Sequence, residues 1–593
     1  MMIADILVTE KSFGPKQLMT GVKLSIDAKE KVGVVGRNGV GKSTLFGIVA
    51  GIDTDYTGEV VFRRGVTVVA TAQEHHAGQM SVMEYILQGV PEYAELRHAI
   101  TTLPTTMGDD LAKIHQYTEA LDRYGRRGFY QLEELVAEEL KNFQLSGVES
   151  RPLSTLSGGQ KRLIEVVKVM HSDADLALLD EPTNHMDYVA KQQFIDWVGR
   201  ASEAMLIITH DRDVLKCVDR IVELKDGVAV SYKGNYDAYL KQNAHSTGTA
   251  MTEYELVERR KRNLRDKVVQ FRRLKEKARD PDTIKQFKRR EQQAQAELDE
   301  LEKIEKPSFW IDRDSVEQLD YKVAGRYDKY KARNIRLSLK DGDMRSQRKL
   351  VEARNLALGY SAEPLFTGVD IDLREGEAVE LRGRNGAGKT TLIHALLQDS
   401  PLPSSRPQAP ARRSLGAGPA TESAPSFEDL ADASKAGATP RGVTRFPQAI
   451  TVIEGGLSLD PHVRVGIYEQ EIGPTYLPLP LHNAIEKMYL DRGLTIGETK
   501  IRQLMGDYLF TENDGGIALE RLSGGQKARF QLMSMLANDP QLLILDEPTN
   551  HLDLPSIEEL ELALERYSGA ILYVSHDNYF RSKIGGTVVN IGS

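Results

Sequence analysis

The sequence predicts an α/β fold used twice in tandem, with a long α-helical hairpin between the two copies. Three observations carry that expectation. The run Leu156-Ser157-Gly158-Gly159-Gln160 returns as Leu522-Ser523-Gly524-Gly525-Gln526, 366 positions later. A Gly-rich loop ending in Gly-Lys-Ser/Thr precedes each copy, and Asp-Glu-Pro-Thr-Asn-His follows each. Between the two sets lies a charged segment with helical apolar spacing that matches neither.

Composition sets bounds. At 593 residues the chain has room for three to four domains, each able to bury its own core. The single cysteine, Cys217, excludes a disulfide framework and a cysteine-based zinc site, and fits a reducing compartment. Met1 to Lys11 lacks the basic head and apolar core of a signal peptide, and no run of ~20 apolar residues exists for a membrane helix. A cytoplasmic location is expected. The net charge of −9 taken alone argues against nucleic acid.

The first unit is placed at residues 1–240. Its apolar run Val32 to Val35 leads into Gly36-Arg37-Asn38-Gly39-Val40-Gly41-Lys42-Ser43-Thr44. Its counterpart follows Ala378 to Leu381 as Gly383-Arg384-Asn385-Gly386-Ala387-Gly388-Lys389-Thr390-Thr391. Glycines there let the backbone curl until its N–H groups face phosphates. Lys42 and Lys389 suit the β and γ oxygens, and the Ser43 and Thr390 hydroxyls suit Mg²⁺. Asp180 and Asp546 close the apolar runs Leu176 to Leu179 and Leu542 to Leu545, where they would hold hydrated Mg²⁺. Glu181 and Glu547, the next residues, are candidate general bases. Gln73 and Gln470, each after a strand-like run, can position the attacking water and the metal. His210 and His576 end apolar strands and can contact a γ-phosphate. A lone histidine there is more often structural, but this pair recurs at the 366-residue offset of the carboxylates. Ser157-Gly158-Gly159-Gln160 and Ser523-Gly524-Gly525-Gln526 read as helix starts, whose free N–H groups and dipole suit an anion. Phe13 and Tyr360 are candidate platforms for adenine, with core packing the alternative for Phe13. The expected cofactors are ATP and Mg²⁺.

Offsets between matching motifs locate the differences. They run 347 at Lys42/Lys389, 397 at Gln73/Gln470 and 366 from Ser157/Ser523 onward. The second unit, 351–593, therefore carries 50 extra residues before Gln470, and the first carries 31 between Gln73 and Ser157. The 50 fall about 401–448, where eight of the 23 prolines cluster, and a disordered surface loop is expected. Its alternative is a segment that folds on a partner through Arg412, Arg413 and Phe427. The 31 lie within 81–152 and read as a short helical arm, against a longer version of an ordinary helical subdomain.

Residues 241–350 form the linker. Met251 to Ala278 has helical spacing, Asp280-Pro281 punctuates it, and Ile284 to Ile304 follows. An antiparallel hairpin is expected, with ~28 residues per arm and a length of ~40 Å. Arg259 to Arg290 holds 15 Lys/Arg against four Asp/Glu, a net of +11 that leaves −20 elsewhere. A solvated helix face usually mixes signs more evenly, and this one is predominantly basic until Glu291. A basic tip on an acidic body fits phosphate contact.

Both units resemble ATP-binding cassettes of the ABC superfamily. That resemblance implies head-to-tail pairing, with Lys42 sharing a site with Ser523-Gly524-Gly525 and Lys389 one with Ser157-Gly158-Gly159. Neither set lacks a motif residue, so two competent composite ATPase sites are implied. Twin cassettes around a charged helical linker are similar to the ABC-F family, over nearly the whole chain. The likeness implies a monomer with intramolecular cassette pairing that acts on the ribosome as a translation factor or antibiotic protection protein. In that family the linker meets ribosomal RNA and the peptidyl-site tRNA, and the arm touches the exit-site side. Two departures stand out: the proline-rich insert, and a chain that stops 17 residues after His576 without a C-terminal coiled coil. The competing functions are the ATPase subunit of a drug exporter and a DNA-repair ATPase. Against the first stand the basic hairpin and the fused cassettes. Against the second stand the missing zinc cysteines and very long coiled coil.

Overall fold

A computed structural model of the chain describes residues 1–14, 16–72, 79–106, 108, 110–184, 186–304, 331, 333–337, 348–360, 363–398, 450–469 and 471–592. The insert expected at 401–448 lies outside them. Each cassette is built around a mainly parallel sheet. In the first the strand order is Val228–Lys233, Arg220–Lys225, Lys31–Gly36, Ala204–Ile208, Leu176–Asp180, Val68–Ala70, with only Val228–Lys233 antiparallel to its neighbour. In the second it is Val465–Tyr468, Leu542–Asp546, Ala570–Val574, Ala378–Arg382, Thr587–Asn590, all parallel. Leu176–Asp180, Ala204–Ile208 and Leu542–Asp546 are buried along their whole length, which is why they read as unbroken apolar runs. An antiparallel sheet flanks each core: Met2–Phe13 pairs with Lys16–Met19, Val22–Asp27 and Thr57–Phe62, and Lys349–Gly359 with Phe366–Arg374 and Thr451–Leu459. The parallel strands deliver Gly36, Asp180 and Thr209-His210 to one edge of the sheet, where ligands of such folds bind.

Within 81–152 the chain forms four helices: Val82–Gln88, Tyr93–Thr106, Leu111–Arg126 and Leu132–Asn142. Tyr93 and Tyr124 join the second and third of these, with Phe129 edge-on to both tyrosines at 5.3 Å.

The hairpin differs from expectation at its root. Its first helix runs from Tyr236 to Lys277, 42 residues, and begins 15 residues before Met251. Asn235 caps it by accepting the N–H of Ala238, and Tyr236 and Tyr239 sit in the first cassette's apolar core. The boundary expected between 240 and 241 therefore falls inside one continuous helix. Asp280 caps the return helix Pro281–Glu302 through the Thr283 N–H, as its place before a proline suggested. Leu264 and Val268 pack on Ala294 and Leu298 to hold the arms together. Among the described residues no helix is long and apolar enough to cross a membrane.

The cassettes face each other across an interface that carries charge. Arg212 meets Glu561 with contacts of 2.8 and 3.4 Å, and both side chains are buried. Glu561→Gln strands the guanidinium and is expected to cost about 3–5 kcal/mol, whereas replacing both partners by leucine restores most of it. Urea unfolding of the two variants beside the parent checks both.

Candidate active site

Each phosphate loop is a strand-to-helix turn. Gly41 (φ 109°) and Gly388 (φ 96°) take left-handed backbone, and a Cβ at either would lie 2.9 Å from the neighbouring Leu18 or Phe366 side chain. Lys42 Nζ donates to the carbonyls of Gly36 (2.7 Å) and Arg37 (3.2 Å), and Lys389 Nζ to those of Gly383 (2.7 Å) and Arg384 (2.9 Å). Each loop thus wraps a buried ammonium, and burial lowers both lysines' pKa. A cradle of backbone N–H groups around an ammonium suits an anion.

Thr390 Oγ1 donates to Asp546 Oδ2 at 2.8 Å, which sets a hydroxyl and a carboxylate side by side. Among the described residues no cluster of three or more His, Cys, Asp or Glu could hold a metal. Thr390 and Asp546 would hold Mg²⁺ together with the nucleotide's own oxygens, a pattern usual for this ion.

Glu181 (φ 47°) and Glu547 (φ 50°) both hold left-handed backbone, an uncommon conformation for a non-glycine residue that is found at active sites as well as at turns. His210 Nε2 lies 3.5 Å from Glu181 Oε1, and His576 Nε2 3.2 Å from Glu547 Oε1. Burial, with Asp180 alongside, raises the Glu181 pKa to about 8, and burial raises that of Glu547 to about 7. Burial and the neighbouring lysines push His210 and His576 down to about 3, so both rings are neutral. The ring nitrogens of His210 are buried without a hydrogen-bond partner among the described residues. A phosphate would supply one.

The raised glutamates make a stability prediction. Unfolded, each ionises near 4.5. Folded, each keeps its proton until about 7 or 8. Unfolding therefore releases protons across that window, and the nucleotide-free protein loses stability as pH rises through it. Glutamine carries no such penalty. Melting temperatures of Glu181→Gln/Glu547→Gln should exceed the parent's by a margin that grows from pH 5 to pH 8.

Residues of both cassettes meet at each phosphate loop. One cavity of about 1130 Å³ is lined by Tyr360, Lys389 and Thr390 of the second cassette and Ser157, Gly158 and Gly159 of the first. On the other side, a Cβ on Gly525 would lie 2.1 Å from Asn38 Nδ2, so the first phosphate loop packs directly on the second Ser-Gly-Gly. Asp187 Oδ2 accepts the Asn385 N–H (3.1 Å) and Asp553 Oδ2 the Asn38 N–H (2.8 Å), both across the interface. Sequence reading passed over these two aspartates. The signal was present, since they too recur at an offset of 366.

Other candidates fall in varied places. Ser157 and Ser523 cap the helices Gly158–Met170 and Gly524–Leu536 in capping boxes, which engage Gln160 and Gln526 in holding the serine N–H. Tyr360 lines the cavity with its hydroxyl 3.0 Å from Thr391 Oγ1. Phe13 is 56% exposed, with Lys11 Nζ 4.8 Å from its ring centre, so it is not a core residue. Gln73 and Gln470 lie outside the described residues.

Two family models, both described as ABC transporter, match the chain: one over residues 19–184, 366–414 and 428–550, the other over 222–318. The ABC transporter ATP-binding protein YfmR of Bacillus subtilis is 27% identical, over 97% of this chain and 78% of that protein. The ribosome protection protein VmlR of the same organism is 26% identical, over 95% of this chain and 82% of its own length. Among solved structures, an archaeal ribosome recycling factor aligns over 99% of this chain and 89% of its own with a TM-score of 0.53; at 15% identity that likeness concerns the fold alone.

Proposed function

The chain belongs to the ATP-binding cassette family, in its ABC-F branch, and from that premise we propose that it is an ATPase acting on the ribosome in the cytoplasm, as a translation factor or a ribosome protection protein. The observation that carries the ATPase half is the composite cavity, in which one cassette's phosphate loop faces the other's Ser-Gly-Gly. Lys389 and the loop N–H groups hold the β and γ phosphates, and Ser157 to Gly159 close on them from the opposite cassette. Mg²⁺, when bound, neutralises phosphate charge during transfer. Glu547 takes a proton from the attacking water, while neutral His576 donates a hydrogen bond to the γ-phosphate. Glu181 and His210 do the same opposite Ser523 to Gly525.

The ribosome half is supported by charge and by kinship. Arg273, Lys277, Arg279, Lys285 and Arg289 are exposed at the hairpin tip with no ion pair among the described residues. Such a surface suits an RNA backbone. The relative VmlR, a ribosome protection protein, is similar over nearly the whole chain. Sedimentation with purified ribosomes tests this reading. Pelleting should increase with ATP in Glu181→Gln/Glu547→Gln, and absence of the protein from the ribosome pellet in every nucleotide state rejects it.

A further inference from the structure

The two ATP sites use matching motifs, yet the interface beside them is not matched. Four pairs of positions related by the 366-residue offset differ in kind: Lys191 and Ile557, Ile195 and Glu561, Arg212 and Asn578, Asp213 and Tyr579. The polar members gather on one side. Lys191, 4% exposed, sets Nζ 2.8 Å from Asp211 Oδ2 and 2.8 Å from Asp213 Oδ2. It also donates across the interface to the carbonyl of His576 at 3.2 Å. Asn578 Nδ2 donates to Asp213 Oδ2 at 2.7 Å and so ties the second cassette to the same group. The two carboxylates keep this buried lysine charged by raising its pKa against burial. At the matching position Ile557 is 2% exposed within the second cassette's apolar core, and its hydrocarbon can donate nothing to the His210 carbonyl.

We propose that Lys191 is a positioning residue for the site containing Glu547 and His576, and that it makes the two ATP sites unequal in turnover. The chain of contacts is short. Lys191 fixes the peptide that follows His576 through its carbonyl, and the His576 N–H donates to Glu547 Oε2 at 3.1 Å. A lysine of the first cassette thereby sets the aim of a base and a histidine in the second. Because this contact crosses the interface, the Glu547 site depends on how the cassettes are apposed through a lysine that the Glu181 site lacks. Charge alone is not enough, because the carbonyl needs a donor at that point.

The inference rests on the reading that both composite sites hydrolyse ATP, and the experiment separates the two. The full chain is assayed with labelled ATP under single-turnover conditions. A silent wild type rejects the ATPase reading itself. Glu181→Gln leaves the Glu547 site as the working one, and Glu547→Gln leaves the Glu181 site. Lys191→Met is then added to each. The rate constant should fall about tenfold or more in the Glu181→Gln background and less than about threefold in the other, with KM for ATP little changed. Lys191→Arg should recover most of the loss. Equal losses in both backgrounds, no loss in the first, or silence of either single-glutamine parent overturns the proposal, the last because the sites would then act as one unit. If melting curves show that Lys191→Met misfolds, Lys191→Met/Asp211→Asn/Asp213→Asn removes the stranded carboxylates, and the same ratio decides.

Discussion

Changing both glutamates to glutamine, Glu181→Gln with Glu547→Gln, is expected to lower ATP turnover by about 10²–10⁴-fold while ATP still binds. Glutamine fills the same space and can still accept the backbone N–H that His576 gives Glu547. What it loses is the capacity to take a proton from water. The phosphate loops, the Thr390–Asp546 pair and the Ser-Gly-Gly helix starts remain intact, so nucleotide should stay trapped between closed cassettes. Phosphate release in purified protein measures the first effect, and retained ATP after gel filtration the second. A variant within threefold of wild-type turnover would remove these residues from the mechanism. On the proposed ribosomal function, the same variant should act as a block in a translation assay, because release would await hydrolysis.

The second large effect is expected at the hairpin tip. Glu291 already engages Arg272 at 3.2 Å and also contacts Lys275, while Arg260 and Arg265 pair with Glu297 and Glu302. Those cations brace the hairpin. Arg273, Lys277, Arg279, Lys285 and Arg289 do not, and they are the ones to reverse. With all five changed to Glu, affinity for RNA should drop about 10³-fold or more near 0.15 M salt, and the logarithmic salt slope should flatten by about 3–4. Basal ATP turnover should stay within twofold of the parent, since the tip lies far along the helix from either site. Binding to ribosomes across a salt series reads the change. Superimposable curves for parent and variant would leave the hairpin a spacer and take away its place on RNA.

The two sets of nucleotide motifs were legible because their chemistry fixes spacing. Asp180 and Asp546 must end a buried strand, and the apolar run before each announces it. The hairpin's middle was legible from Leu264, Val268, Ala294 and Leu298, which do form its seam. Its root was not. His245 to Ala250 is polar with no apolar period, and it is helical because Asn235 caps the start and two tyrosines anchor the first turn in a core that sequence order does not reveal. Asp187 and Asp553 were within reach, since the Asp-Glu-Pro-Thr-Asn-His repeat simply continues to them. Lys191 and the Arg212–Glu561 pair were beyond it. Glu561 lies 349 residues from Arg212 and the His576 carbonyl 385 from Lys191, and halves that agree at the motifs give no reason to look where they disagree.

The continuous helix Tyr236–Lys277 has a mechanical consequence. Its first turn belongs to the same apolar core as Val214 and Leu215, and Tyr236 lies near enough to Arg212 to interact with its charge, so the root of the rod sits close to the segment that follows His210. A rigid rod of 42 residues is ~63 Å long, and a tilt of ~5° at its base carries the far end through ~5 Å. A tilt of a few degrees at the root would thereby be geared up, at the tip, to a displacement near the width of a nucleotide.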